Sequence, residues 1–501
     1  MRAIGAASVL AALVWGGAAL AQEGEVVVKQ YDDGSVYEGT FVNGLRDGTG
    51  TYTLPNGYSY TGAWVEGEIS GKGEARFPNG AIYVGTFAAG KPEGQGKITF
   101  ADGRTYEGDW TDGQMTGQGT ATYADGSSYT GAVRAGIPHG KGVLTRKDGY
   151  RYEGDWVDGR KEGKGTITYP DGTTYDGTLV DGQREGEGTL IMPDGLTYVG
   201  QWKAGQIGGT GKLTQPNGDV YEGSFVEGLR DGQGKVSYAN GDLYEGPFKA
   251  DKRDGQGVFK AKDGLVYEGS FVAGAIEGQG KMTYPGGTVY EGTFKADLPD
   301  GTGKITYPNG AIYEGQWTAG AITGTGRATY DDGSVYEGAV VAGKPEGQGK
   351  MTYPDGYVYE GTWKAGIREG QGKATYADGS VYEGMFVAGE RQGKGVLTMP
   401  DGFRFEGDFV AGEIEGQGIA TYPNGDVYEG AFVKGKREGQ GVMRYKTGQE
   451  VTGIWTQGVV TAPAPEPAPA EGAAPADGAA PAEPPAEGAP AAAAPAEGAG
   501  N

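Results

Sequence analysis

Between residues 37 and 450 apolar and polar positions follow one pattern that returns every 23 residues, with no insertion or deletion. Tyr37-Glu38-Gly39-Thr40-Phe41 recurs as Tyr106-Glu107-Gly108-Asp109-Trp110 and again as Tyr152-Glu153-Gly154-Asp155-Trp156. Eighteen full units fit this frame; a half unit ending in Asp33-Gly34 precedes them, and a nineteenth starts at Val451. Numbering each unit from its leading aromatic, so that Tyr37 is position 1, the alternation has period two, which predicts strands. Tyr37, Gly39 and Phe41 share one face, as do Gly48, Gly50, Tyr52 and Leu54. Glu38, Thr40, Thr51 and Thr53 fall on the other. One face is therefore aromatic with glycine and the opposite face polar.

Turn signals divide each unit in two. Positions 20 and 21 read Asp-Gly or Asn-Gly in sixteen of eighteen units, with Gly57, Gly80, Gly103, Gly126 and Gly172 as examples of the turn glycine. This dipeptide predicts a type I′ hairpin turn, which needs positive φ at both central residues. A second turn is expected over positions 8–11, for example Gly44-Leu45-Arg46-Asp47. Two turns per 23 residues leave two strands of about seven residues each. Between 22 and 460 no helical stripe and no second layer can be read. The fold class is all-β: an elongated, single-layer, twisted antiparallel β-meander with two strands per repeat. Glycine beside the aromatics suits such a sheet, because a ring lies flat over a neighbouring strand where no Cβ obstructs it. Glu at position 2 is placed to pair across strands with Lys at position 15, as at Lys97, Lys235 and Lys281.

Composition sharpens this picture. The repeat accounts for 88 of the 102 glycines, so the glycine content is periodic rather than low-complexity. The absence of Cys and the single His139 exclude Cys-ligated zinc, iron–sulfur centres, thiol catalysis and repeated His chemistry. His139 reads as an exposed turn residue. The net charge of −23 argues against nucleic acid and leaves anionic lipid at most a weak partner. Asp-Gly turns without a nine-residue Gly-Gly-x-Gly-x-Asp period do not read as calcium sites, and no cofactor or metal is expected. Basic loop pairs such as Arg160-Lys161, Lys252-Arg253 and Lys436-Arg437 read as a solvated edge.

The ends differ. Residues 1–21 carry Arg2, an apolar run from Ile4 to Leu20 and small residues Ala19 and Ala21, the pattern of a cleaved secretory leader with the cut after Ala21. No transmembrane anchor follows, so the expected location is exported, periplasmic or extracellular. Residues 461–501 are Ala, Pro, Gly and acidic residues with nothing larger to bury, which predicts a solvated, disordered low-complexity tail.

The motif Tyr-Glu-Gly-x-Trp-x-x-Gly-x-x-x-Gly-x-Gly at this period resembles the MORN (membrane occupation and recognition nexus) repeat, over residues 37–458. The resemblance implies a single-layer β-meander with an aromatic groove and a non-catalytic role as assembly scaffold, protein-binding surface or membrane-proximal element. No catalytic domain accompanies the repeats, so the expectation is that the chain is no enzyme. The aromatic ladder is the candidate site: Tyr106, Trp110, Tyr152, Trp156, Tyr198, Trp202, Tyr313, Trp317, Tyr359 and Trp363. These rings either accept a partner's apolar segment or sugar rings, or pack on one another as the only core available. The first function expected is binding of a protein partner, or of the chain itself, through the groove and the sheet edges. The alternatives are a carbohydrate or cell-wall module and a lipid-associated scaffold. Departures from the motif concentrate in the first eight units, where Thr61, Val84, Thr130, Asp176 and Val199 replace the position-2 Glu, and a special contact is expected there.

Overall fold

The computed structural model describes residues 24–463; the leader and nearly all of the tail read from the sequence lie outside them. Among the described residues there is no helix, so none is long and apolar enough to cross a membrane. Two compact units are distinguished, one up to Pro354 and one from Asp355. The first contains thirty strands, from Val27–Gln30 to Lys344–Thr352. The second contains ten, from Val358–Lys364 to Val459–Pro463. Within each unit successive strands pair antiparallel in chain order, in one layer, as the alternation predicts. Each 23-residue repeat supplies a strand of seven residues, such as Val36–Val42, and one of nine, such as Leu45–Thr53. Only one repeat departs: its second strand is broken at Asp254 into Lys252–Arg253 and Gly255–Lys260.

The turns are the reverse of those expected. At Asn56-Gly57 only the glycine has positive φ (89°). Gly57 N donates to Leu54 O and Leu54 N to Tyr58 O, closing a three-residue loop, and the Asn56 side chain accepts from Tyr58 N at 2.9 Å. Pro55 occupies the second place of a type I turn, where its fixed φ fits, and the glycine follows in the left-handed region. The type I′ turn lies instead at positions 7–8. Asn43 (φ 51°) and Gly44 (φ 82°) are both left-handed, and Val42 pairs directly with Leu45. Strand two therefore begins at position 9, not after position 11, and gains its extra length. Part of that length forms a bulge, since Thr40 alone faces Asp47, Gly48 and Thr49 between the Gly39–Gly50 and Phe41–Arg46 pairs. Because the turn ends at position 8, His139 sits within the strand Ile137–Thr145, half-buried, with Nδ1 3.5 Å from the Asp158 carboxylate.

Candidate functional site

Positions 3 and 14 explain why these glycines recur in extended backbone. In each repeat the position-1 ring lies across both, and a Cβ at Gly303 would stand 2.5 Å from ring carbons Cε2 and Cζ of Tyr290. The phenol then reaches its own strand: Tyr267 Oη donates to Ser270 O at 3.0 Å, Tyr359 Oη to Thr362 O at 3.0 Å. The position-5 ring packs edge-on against the tyrosine of its own repeat and that of the repeat before. From Tyr198 to Trp317 the alternating series runs unbroken, with centroids 5.0–5.9 Å apart and planes at 71–90°. Each such pair contributes about 0.5–1.5 kcal/mol beyond burial. Where position 5 is tryptophan, its indole N–H bonds the preceding repeat's position-14 carbonyl, as Trp110 to Gly96 and Trp202 to Gly188.

The ladder is thus the core. All ten candidate rings are buried: Tyr106, Tyr152, Tyr198, Tyr313 and Tyr359 are at most 4 % exposed, and Trp110, Trp156, Trp202, Trp317 and Trp363 at most 7 %. Stacked into one another and lying against glycine, these rings offer a ligand little open face; Trp317 alone of the ten lines a cavity beside Pro299 and Ile322. The turn glycines Gly57, Gly80, Gly103, Gly126 and Gly172 all take the left-handed conformation.

Burial also moves the phenols. It pushes Tyr83, Tyr198, Tyr267 and Tyr290 from 10 to about 12. A raised folded-state value means that stability is full below the ordinary phenol range and is lost as pH climbs through 10 towards 12. Because many repeats share this shift, we expect unfolding in alkali to be steep. In a titration followed by circular dichroism and phenolate absorbance, the β signal should hold at pH 9 and collapse above about pH 11 together with ionisation, not after it.

Sequence reasoning missed position 10. In seven repeats it is Arg, and the guanidinium covers the ladder: Arg184 Cζ lies 4.1 Å from the Trp202 ring and Arg437 Cζ 4.4 Å from Trp455. The same groups donate to the next repeat's turn, Arg184 to Gly205 O at 2.8 Å and Arg437 to Gly458 O at 2.6 Å. The second residue of each basic pair noted in the sequence (Lys161, Arg253, Arg437) is therefore half-buried over aromatic rings rather than solvated. The acid that follows has its own task. Glu162 and Glu438 accept from the backbone N–H of the next repeat's turn at 2.9 Å.

As at Ile69, Pro92, Met115 and Pro138, the cap is apolar across the four consecutive repeats that carry Ile276, Pro299, Ile322 and Pro345. Here the aromatic face holds a cavity of about 520 Å³, walled by Tyr284, Leu298, Pro299, Ile305, Tyr307 and Ile322. Leu298 (47 %) and Tyr307 (37 %) stay exposed on its two rims. The opposite face carries the expected cross-strand ion pairs, Lys97–Glu107 at 3.2 Å and Lys281–Glu291 at 2.8 Å. Lys235 instead faces Glu245 in the register without forming an ion pair of this kind. In the less regular repeats that ladder is interrupted, with the hydroxyls of Thr130 and Thr166 and the Asp176 carboxylate among the groups around a concavity of about 800 Å³.

The recurrence of this one ring-over-glycine cell is what decides kinship. The family model for the MORN repeat matches eighteen consecutive segments, from 37–57 to 428–450. The chain belongs to the MORN repeat family. As a MORN repeat array it is 47 % identical over 51 residues to alsin of Rattus norvegicus, a match covering 9 % of this chain and 3 % of that protein. The array thus spans a small fraction of the length of the curated relative it matches. Among solved structures it is similar to the TCP domain of SAS-4 of Drosophila melanogaster, determined with a proline-rich motif of Ana2 (16 % identity, 30 % of this chain, 86 % of that one, TM-score 0.21). It is also similar to the TCP10 domain of CPAP of Danio rerio (15 % identity, 58 % and 100 %, TM-score 0.16). At such scores these likenesses carry no argument about function.

Proposed function

We propose that this MORN repeat scaffold is a non-enzymatic, exported protein that binds an extended apolar segment of a protein partner on the aromatic face. The binding place is the apolar-capped stretch from Ile276 to Pro345. The observation that supports it is the recess itself: the Arg184 guanidinium covers the Trp202 ring, whereas here, under an apolar cap, a cavity opens between the exposed side chains of Leu298 and Tyr307. A contiguous apolar recess with exposed rims suits side chains of an extended peptide more than a sugar, because the ladder rings that would stack on glycan are buried. The net charge of −23 favours a partner with basic flanks over an anionic membrane.

A photo-crosslinking side chain placed at Tyr307, and as control at Lys304 on the polar face, tests this in the producing cell. Adducts to a distinct protein at position 307 and not at 304, on a chain recovered from the exported compartment and starting at Gln22, are the expected result. Adducts of equal yield at both positions, or none, would overturn the groove; a cytosolic chain retaining residues 1–21 would overturn export.

A further inference from the structure

The cap over the recess recurs, in the same order, nine repeats earlier. From Arg46 to Arg230 position 10 reads Arg, Ile, Pro, Met, Pro, Lys, Arg, Ile, Arg. From Arg253 to Arg437 it reads Arg, Ile, Pro, Ile, Pro, Arg, Arg, Ile, Arg. Each residue meets its own kind 207 residues on: seven of the nine pairs are identical, and the others are Met115 with Ile322 and Lys161 with Arg368. The array is thus one block of nine repeats written twice, 37–243 and 244–450. The likeness reaches the contacts. Lys161 donates to Tyr150 Oη and Arg368 to Tyr357 Oη; Asp219 and Asp426 accept from the backbone N–H of Ala239 and Lys446 at 2.8 and 2.9 Å.

We propose that each block carries one binding place, so that the stretch from Ile69 to Pro138 is a second site for the same extended apolar protein segment. The inference rests on the reading that the stretch from Ile276 to Pro345 holds such a segment.

The order of caps is not what is left of a recent copying. Position 9, the neighbour in sequence, differs in all nine pairs, from Leu45 against Lys252 to Leu229 against Lys436. Nor does packing dictate it, since within one block the same ladder accepts Arg, Lys, Ile, Met and Pro at this place. What both blocks keep is which repeats put a cation over the rings and which do not. The ladder also thins at the same point in each, because position 5 is aliphatic in the fifth repeat, Val133 and Val340.

The surface agrees. Pro92, Ile98, Phe100 and Met115 stand where Pro299, Ile305, Tyr307 and Ile322 wall the cavity, and all four are half-buried. Lys91 takes the place of Leu298 on the rim, but its ammonium is paired with the Asp112 carboxylate at 3.2 Å, so an apolar segment meets no bare cation there. Both stretches lie in the first compact unit, eighteen strands or about 85 Å apart along the sheet. A partner that carries the segment twice would be held at two points, and two partners would be brought onto one array.

The test compares, in the producing cell, full chains with a photo-crosslinking side chain at Phe100, at Tyr307, or at Lys97 on the polar face as control. The same peptide of the same protein is expected on 100 and 307 and not on 97. That peptide, synthesised, is then titrated calorimetrically into the purified full chain. Two equivalents should bind the parent, one the Pro92→Arg variant, one the Pro299→Arg variant and none the double variant. Arginine is the residue that seven repeats carry at this place, so circular dichroism of each variant should match the parent. An adduct at 307 with none at 100, a different protein at 100, one equivalent bound by the parent, or two bound by P92R overturns the second site and leaves the first standing. No adduct at 307 overturns the first and the second with it.

Discussion

Gly303→Ala is expected to unfold the repeats around it. The backbone there is extended, so alanine meets no conformational strain; the obstacle is the Tyr290 ring, 2.5 Å from the added Cβ at two carbons. Neither neighbour can yield. The ring is fully buried, its hydroxyl bonds Thr293 O, and Phe294 and Trp317 close it on two sides at 5.0 Å. Overpacking a rigid site costs about 1–3 kcal/mol and more where nothing relaxes, so a loss at the top of that range is expected. Hydrogen exchange should show lost protection in the strands Val289–Lys295 and Leu298–Thr306, with distant repeats unchanged. Tyr290→Ala alone should also destabilise, but combined with Gly303→Ala it should cost less than the two separately, since the clash has been removed. Strict additivity would contradict the ring-over-glycine cell.

Trp317→Ala should be as damaging, by about 3–5 kcal/mol. The indole is 7 % exposed, contacts Tyr290 and Tyr313 at 5.0 and 5.9 Å, and bonds Gly303 O at 3.3 Å. Its removal leaves both tyrosines short of a neighbour and cuts a tie between adjacent repeats. Urea unfolding should then lose its single transition, because a one-dimensional array fails at its weakest interface. A second, early phase is expected, and an unchanged midpoint would show that the indole is not part of the core. It follows that loss of binding on tryptophan replacement cannot be read as loss of a sugar-stacking surface; Tyr307 and Leu298, exposed on the rims, are the residues to change for that question.

Much of this architecture was legible from spacing alone. Alternation assigned the faces, and the pairing of Gly39 and Gly50 under Tyr37 follows from asking why glycine should recur beside rings in a strand. The turns were misread for a specific reason. Asp-Gly is the commonest signal for a two-residue hairpin, whereas the residue that adopts φ near 50° here is Ala in eleven repeats, from Ala89 to Ala411, and alanine gives no such signal. Local bonds decide the outcome. The Asp or Asn at position 20 is occupied by its own loop, as Asp332 Oδ1 accepting Ser334 N at 2.8 Å, and where Pro precedes it, as Pro55 precedes Asn56, the proline fixes a type I geometry. The site was half legible. The aromatic face was identified, but exposure within it was not, because nothing in the one-dimensional pattern says that Arg184 or Arg437 lies over the rings while a cavity opens beside Ile322.

The sharing of each position-5 ring between two successive tyrosines has a consequence for how such a gene changes length. Most repeats present the same surface forwards and accept the same surface backwards, as the matching partners of Phe225, Phe248 and Phe271 illustrate, with Val133, Leu179 and Val340 marking the repeats that lack the ring. Slippage during replication that inserts or drops one whole copy therefore recreates a junction already tried, and natural selection can tune the number of copies without having to invent a new contact.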